Sequence, residues 1–177
     1  MRKNKLVVAC ILAATLLAGC NPTYNWRDYS SPDAPYRVMF PAKPASHTRS
    51  VDLDGVKVEM TMTAAEVEGV MFAVGTGVAE DAAGAQAAVD AMKTAMLRNI
   101  GATVQRESAS AASNGDPASA RKSIDLEATG AANGGPMQLT GHFESRGKRF
   151  YQVIVLGKEK AVPAEQSEQF MKSFTLL

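Results

Sequence analysis

Hydrophobic and polar residues alternate along much of the chain, a pattern typical of strands that bury one face. The clearest case is 56–64, where valine and methionine at every second position alternate with charged residues and threonine. Asp54-Gly55 joins this segment to 46–53, and Asp-Gly is a favoured dipeptide in two-residue hairpin loops. The pattern therefore predicts a β-hairpin over 46–64.

Similar patterns predict the other strands. An edge-type strand is expected at 36–40, before Pro41, because proline cannot donate a ladder hydrogen bond. A turn at Glu68-Gly69 precedes 70–79, which is apolar on both faces and should therefore be central. Further strands are predicted at 103–107, 121–128, 137–144 and 148–156, with a mobile loop over 108–119 and a turn over 130–136.

The hydrophobic period changes from two to 3.6 residues after Asp81. Gly101 stands where a C-cap glycine is typical, so a helix is predicted over 81–100. The apolar face of this helix consists of Val89, Met92, Met96 and Ile100. Such a face should pack closely against a sheet.

The last predicted hairpin needs cover on both faces. A two-residue loop at Arg146-Gly147 would place Glu144 opposite Arg149. The strand that follows is apolar on both sides, so we expect the first helix on one face and a short C-terminal helix on the other. That helix is predicted after Pro163, where two phenylalanines are spaced four residues apart.

These elements predict an α+β fold with a single core. Its mostly antiparallel, twisted sheet should have about six to eight strands. One long helix and the short C-terminal helix should pack against this sheet.

The first twenty residues have the composition of an export signal. Basic residues near the start precede the apolar or small segment 6–18, which is too short to span a bilayer core. The segment ends in Leu17-Ala18-Gly19-Cys20, which resembles the lipobox of bacterial lipoproteins. The resemblance implies that Cys20 is acylated and becomes the first residue of the mature chain. An ordinary signal peptide with a chance cysteine is the alternative.

The chain is therefore divided into a removed signal peptide at 1–19, a lipid-anchored tether at 20–35 and a single globular domain at 36–177. In the tether, Trp26 and its neighbouring tyrosines either rest at the membrane headgroups or dock on the domain. The membrane is an expected partner through lipidated Cys20, on the periplasmic side. The residue after Cys20 is Asn21, and not the aspartate that resembles an inner-membrane retention signal. This favours the outer membrane.

Charge and reactive residues argue against several classes of function. The chain has 19 basic and 18 acidic residues, and removal of Arg2, Lys3 and Lys5 with the signal would leave 16 basic against 18 acidic, so nucleic acid is not an expected partner. Cys10 lies in the signal and Cys20 would carry lipid, so no disulfide is expected. The two histidines, His47 and His142, lie in different predicted strands, and neither a metal site nor another cofactor is predicted.

Two constellations could carry chemistry, but each has a structural alternative. Met60-Thr61-Met62 offers paired thioethers that suit Cu(I), although both methionines share the inner face of a half-buried strand, where core packing is expected. The second constellation is Ser123, His142 and Tyr151, which a polar outer face explains better, as it does Asp125, Glu127 and Glu144. No enzymatic activity is predicted.

Three segments form short motifs at strand and helix ends: Phe40-Pro41-Ala42-Lys43-Pro44, Gly147-Lys148-Arg149-Phe150-Tyr151 and Phe170-Met171-Lys172-Ser173-Phe174-Thr175-Leu176. Together these segments are similar to bacterial envelope proteins of the PsbP-like, DcrB-like group. The resemblance spans 36–177 and implies an α/β/α sandwich of PsbP-like type in proteins that act as accessory or assembly factors rather than enzymes. It carries over no catalytic or ligand residue, because the matching positions are turns and core.

We expect a lipid-anchored, non-catalytic accessory or protein-binding module of the bacterial cell envelope, with an envelope protein as its partner. The alternative is a carrier of a small apolar or lipid ligand, because methionines adapt to irregular spaces and to ligands. Its cavity would lie between sheet and helix and be lined by Met60, Met62, Met92 and Met96.

Overall fold

The computed structural model describes residues 23–113, 115–132 and 134–177. The strands of this part are β1 (Arg27–Ser30), β2 (Tyr36–Phe40), β3 (Ala45–Leu53), β4 (Val56–Val67), β5 (Val70–Val78), β6 (Thr103–Ala112), β7 (Arg121–Ala132), β8 (Gly135–Arg146), β9 (Arg149–Lys158) and β10 (Thr175–Leu176). The helices are α1 (Ala82–Asn99) and α2 (Ala164–Ser173), and a 3-10 turn at Pro117–Ser119 precedes β7.

The strands form two antiparallel sheets. A large sheet of seven strands has the order β3-β4-β5-β9-β8-β7-β6, and a small sheet of three strands has the order β1-β2-β10. The prediction of a mostly antiparallel α+β fold is confirmed. The large sheet has the predicted six to eight strands, but β2 is not one of them, because it pairs with β1 and β10 in a separate small sheet.

The large sheet buries both of its faces, so two hydrophobic clusters replace the predicted single core. One cluster lies under α1, and the other lies under α2 and the small sheet. Middle strand β9 contributes to both, because successive side chains of a strand point to opposite faces. Ile154 belongs to the α1 cluster, whereas Val153 and Val155 belong to the α2 cluster.

Helix α1 occupies the segment in which the period of 3.6 predicts a helix. Asp81 caps its first turn, and the Asp81 carboxylate accepts a hydrogen bond from the Gly84 N–H at 2.7 Å. Gly101 follows the helix with φ +54°, the left-handed conformation that glycine adopts at helix ends. The buried side chains of α1 are small or flexible: Ala85, Ala88, Val89 and Met92.

Part of the predicted tether is folded. Strand β1 pairs with β2, and the Trp26 ring packs edge-on against Phe72 with centroids 6.4 Å apart. The prediction of a tether over 20–35 is therefore wrong for β1, and Trp26 docks on the domain. Burial of large aromatic rings explains this, since such rings dominate the energetics of a core.

Two predicted connections are shorter than expected. Strand β6 continues to Ala112 through the first part of the predicted 108–119 loop. The β7–β8 hairpin stays paired up to Ala132 opposite Gly135, within the predicted 130–136 turn. All of β6 is exposed, so pairing of its backbone with β7 maintains the strand without any alternation in the sequence.

The β8–β9 register also differs from the prediction. The loop consists of Gly147 and Lys148, so Arg146 lies opposite Arg149 and Glu144 lies opposite Tyr151. Gly147 has φ +55° and takes the first loop position, where a two-residue hairpin favours glycine. The predicted pairing of Glu144 with Arg149 is therefore wrong.

Candidate functional site

The predicted lipid attachment residue Cys20 and the lipobox residues Leu17, Ala18 and Gly19 lie outside the described residues. The anchor therefore stays a prediction from the sequence. Within 23–113, 115–132 and 134–177, no helix is long and apolar enough to cross a membrane.

The four methionines predicted to line a ligand cavity come together between the large sheet and α1. Met60 and Met92 are buried, and Met62 and Met96 pack against the same cluster while partly exposed. Gly75 makes room for two of them, because a Cβ there would lie 2.3 Å from Met60 Cε and 2.5 Å from Met62 Sδ. Their side chains act as core in this arrangement, and the apolar cleft of the molecule is lined by other residues.

This cleft opens where β4 and β5 separate. The pairing of β4 with β5 stops at Met60 opposite Gly77, although β4 begins at Val56. Strand β5 meanwhile stays paired with β9 as far as Val78 opposite Arg149. The first residues of β4 therefore have β3 on one side and a cleft of about 580 Å³ on the other.

The cleft combines exposed apolar side chains with charged ones. Val56 and Val78 are 59% and 48% exposed, and they are two of the four large hydrophobic residues that are exposed in the described chain. The apolar lining also includes Leu53, Val58, Ala79, Ala87 and Ala88. The charged lining residues are Asp33, Lys57, Glu59, Glu80, Asp81 and Arg149, so acidic groups outnumber basic ones.

The edge of β4 presents backbone as well as side chains to this cleft. In a two-residue hairpin the residues next to the loop, here Leu53 and Val56, exchange hydrogen bonds with each other. Because bonding directions alternate along a strand, the backbone N–H and C=O of Lys57 point away from β3 and into the cleft. An extended segment of another chain could pair with these groups.

A second polar group surrounds His142 on the α2 face of the large sheet. The Nδ1 atom of His142 lies 2.7 Å from an Asp125 carboxylate oxygen, and Nε2 lies 3.2 Å from a Glu144 oxygen. The ring of Phe174, just beyond α2, packs on the imidazole with centroids 6.1 Å apart. The prediction of a solvated face agrees with Asp125, whose side chain is 64% exposed, but is wrong for Glu144, which is 18% exposed.

The two carboxylates also control the charge of His142. Burial opposes the charged imidazolium, but hydrogen bonds to Glu144 and Asp125 and the attraction of their charges outweigh it, so the pKa of His142 is raised above its ordinary value. Because both ring nitrogens are engaged, His142 has no free nitrogen to act as a base or a metal ligand. The group therefore links β7, β8 and the segment after α2.

The residues considered for nucleophilic catalysis are not arranged for it. The Ser123 hydroxyl forms a hydrogen bond with the Ser110 hydroxyl at 2.9 Å, and Tyr151 lies in the α2 cluster. His47 is exposed on β3, at the far side of the large sheet from His142. Among the residues that the structure describes, no group of three or more His, Cys, Asp or Glu side chains is placed to hold a metal ion.

Sequence reasoning missed the cleft, because the alternation over 56–64 predicts Val56 on the buried face and Thr63 on the polar face, whereas Val56 is 59% exposed and Thr63 is buried. The difference in strand length could have indicated the cleft. Strand β4 has 12 residues and β5 has 9, so the first residues of β4 have no partner on β5. No family model matches the chain, and no curated protein is significantly similar to it.

Proposed function

We propose that the protein is a lipid-anchored, non-catalytic accessory module that faces the periplasm and binds a segment of another envelope protein. The observation that carries this proposal is the apolar cleft where β4 extends past β5, with Val56 and Val78 exposed in it. The lipobox ending at Cys20 supports a location in the cell envelope, and Asn21 favours the outer membrane.

The fold is proposed to be an α/β/α sandwich of the PsbP-like, DcrB-like type, with α1 as its long helix. Support comes from the two helices, which pack against opposite faces of the large sheet. The same resemblance implies an accessory or assembly factor rather than an enzyme.

The partner segment would bind as an additional strand. Its backbone would pair with Lys57, and its apolar side chains would pack against Val56 on the α1 face and against Val78 on the α2 face. In such strand addition, main-chain hydrogen bonds supply affinity and side-chain pockets supply specificity. The excess of acidic groups in the lining favours a segment that carries lysine or arginine.

The lipid anchor would assist this weak, short pairing. Two or more acyl chains hold a protein stably at a membrane, whereas one chain holds it marginally. Confinement to the same membrane surface raises the effective concentration of a membrane-bound partner. A modest cleft is then sufficient for function.

The second candidate function is a carrier of a small apolar or lipid ligand. A cleft of about 580 Å³ has the volume of many small-molecule sites. The ligand would then occupy the cleft, because Met60 and Met92 are buried within the packed α1 cluster.

The test places a photo-crosslinking amino acid at Val56 in the full-length protein in living cells. A matched control carries it at Val104, which is also exposed but lies on β6. We expect one defined envelope protein to be captured at Val56 and not at Val104, and the capture to be lost when Val78→Glu is added.

Identical capture at both positions would contradict the proposal. Native mass spectrometry of the purified protein provides the second arm. A bound small apolar molecule that Val78→Glu releases, without a protein crosslink at Val56, would favour the carrier instead.

A further inference from the structure

Three arginines form a row across adjacent strands at one end of the large sheet. Arg121 of β7 lies opposite Arg146 of β8, and Arg146 lies opposite Arg149 of β9. Directly opposed residues have Cβ atoms about 5 Å apart, so the row spans about 10 Å. Opposed residues share a face of the sheet, so all three arginines project from the α2 face, the side that carries Glu144 and Tyr151.

The positive charges of this row have no acidic partners in the described ranges. None of the three arginines belongs to an ion pair there. Glu144 is the acidic residue two positions before Arg146 on the same face, and it is hydrogen bonded to His142. Like charges directly opposite each other destabilise a sheet, so the row costs stability in the free protein.

Arg146 adds a second, independent observation. Its Nε atom is buried and has no hydrogen-bond partner among the described residues. A buried donor without an acceptor is costly, and the cost is larger for a charged group. An anion bound at the row would offset the repulsion and could supply acceptors for this guanidinium.

The surface beside the row has room for such an anion. Arg121 and Arg146 line a depression of about 370 Å³ together with Ser119 and two alanines. Arg149 lies on the other side of Arg146 and reaches the lining of the cleft between β4 and β5. The depression is separate from that cleft and is bordered by arginine on β7 and β8.

We infer that this arginine row is a binding site for a phosphate group. The planar guanidinium fork matches phosphate oxygens with two parallel hydrogen bonds, and it keeps its charge at every physiological pH. Three guanidinium groups offer more donors than one carboxylate can accept, whereas a phosphate group carries more oxygens and more charge. The phosphate belongs either to a phospholipid headgroup or to a soluble phosphate compound.

The test uses the full lipidated protein, purified in non-ionic detergent. One arm titrates inorganic phosphate, and the other titrates mixed micelles containing phosphatidic acid, with diacylglycerol micelles as the phosphate-free comparison. Binding is measured by calorimetry and by the rise in Tm. Chloride at equal ionic strength controls for screening.

The variants remove charge inside and outside the row. Arg121→Gln/Arg149→Gln should weaken binding by at least about tenfold, because two charge-assisted contacts are lost. In phosphate-free buffer the same double variant should melt no lower than the parent, since repulsion is relieved. The matched control is Arg106→Gln, which removes an exposed arginine that pairs with Glu127 on β7 and should leave affinity within twofold.

The two titrations distinguish a soluble phosphate ligand from a lipid headgroup. Binding of inorganic phosphate identifies a soluble ligand, and binding of phosphatidic acid micelles alone identifies a lipid headgroup. The inference is overturned if the parent binds neither, or if Arg106→Gln weakens binding as much as the double variant does. The inference does not rest on the proposed function, because the depression beside Arg121 and Arg146 is separate from the cleft between β4 and β5.

Discussion

The two faces of the large sheet are packed by different kinds of side chain. The α1 face is filled by alanine, valine, leucine, isoleucine and methionine, with Phe143 and Phe150 as its aromatic residues. The α2 face collects the tyrosines, the tryptophan and the other phenylalanines, and the aromatic pairs of the described ranges lie there.

The two helices cover their faces of the sheet to different extents. Helix α1 has 18 residues, and its cluster draws on residues of β3, β4, β5, β7, β8 and β9. Helix α2 has 10 residues and leaves the polar side chains of β7 and β8 accessible on its face. His142 and the arginine row lie there, so the α2 face combines an aromatic core with a polar surface.

The largest effect is expected at Ile154, which is buried in the α1 cluster on the middle strand of the sheet. Ile154→Asp should prevent folding, because burial of an unpaired charge costs several kcal/mol and most domains have only about 5–15 kcal/mol of stability. Circular dichroism during heating measures this. Val104→Asp, on an exposed strand, is the control, and a cooperative melt of Ile154→Asp equal to the parent's would refute the packing described.

The next prediction compares a substitution on each face. Phe170 is fully buried and contacts Phe40 and Phe72, each with ring centroids 5.4 Å apart. Phe170→Leu should cost at least about 2 kcal/mol, because both aromatic pairs and part of the buried area are lost. Met92→Leu on the α1 face should cost less than about 1.5 kcal/mol, since volume is nearly conserved.

Urea unfolding of both variants provides the free energies of unfolding. Equal losses of unfolding free energy for Phe170→Leu and Met92→Leu would contradict the contrast between the aromatic α2 face and the aliphatic, methionine-rich α1 face.

A smaller, pH-dependent effect is expected at His142. Its pKa is raised in the folded protein by Glu144 and Asp125, against the effect of burial. Its contribution to stability should therefore be complete below the unfolded histidine pKa of about 6.5 and should be lost as pH rises through the higher folded pKa. His142→Gln should destabilise the protein more at pH about 6 than at pH about 9.

Thermal melts of the parent and of His142→Gln over this range check the sign. The control for loss of an imidazole is His47→Gln, at an exposed histidine on β3. A His142→Gln penalty that grows with rising pH would contradict the assigned hydrogen bonds.

The elements that could be predicted from sequence have a local boundary signal. Asp54-Gly55 and Glu68-Gly69 adopt positive φ in their hairpin loops, and Asp81 caps α1, so the order β3-β4-β5-α1 follows from local chemistry. The assignment of Phe143 and Ile154 to one face and Val153 to the other also follows, because side chains of a strand alternate.

The remainder depends on contacts between distant segments. Strand β1 has no period of its own and exists because β2 pairs with it. The register of β8 with β9 depends on which residue takes the first loop position. Because Gly147 takes it, Arg146 lies opposite Arg149. The cleft and the arginine row both arise from such pairings, so neither could be read from one strand alone.

We propose that this domain works at a membrane through lipidated Cys20. The most direct test is membrane fractionation in high salt, followed by intact mass analysis of the parent and of Cys20→Ala. The parent should remain with the membrane and show the mass of a chain that begins at Cys20 and carries acyl groups, whereas Cys20→Ala should lack lipid and keep the parent's melting behaviour. An unlipidated parent recovered in the soluble fraction would contradict the claim.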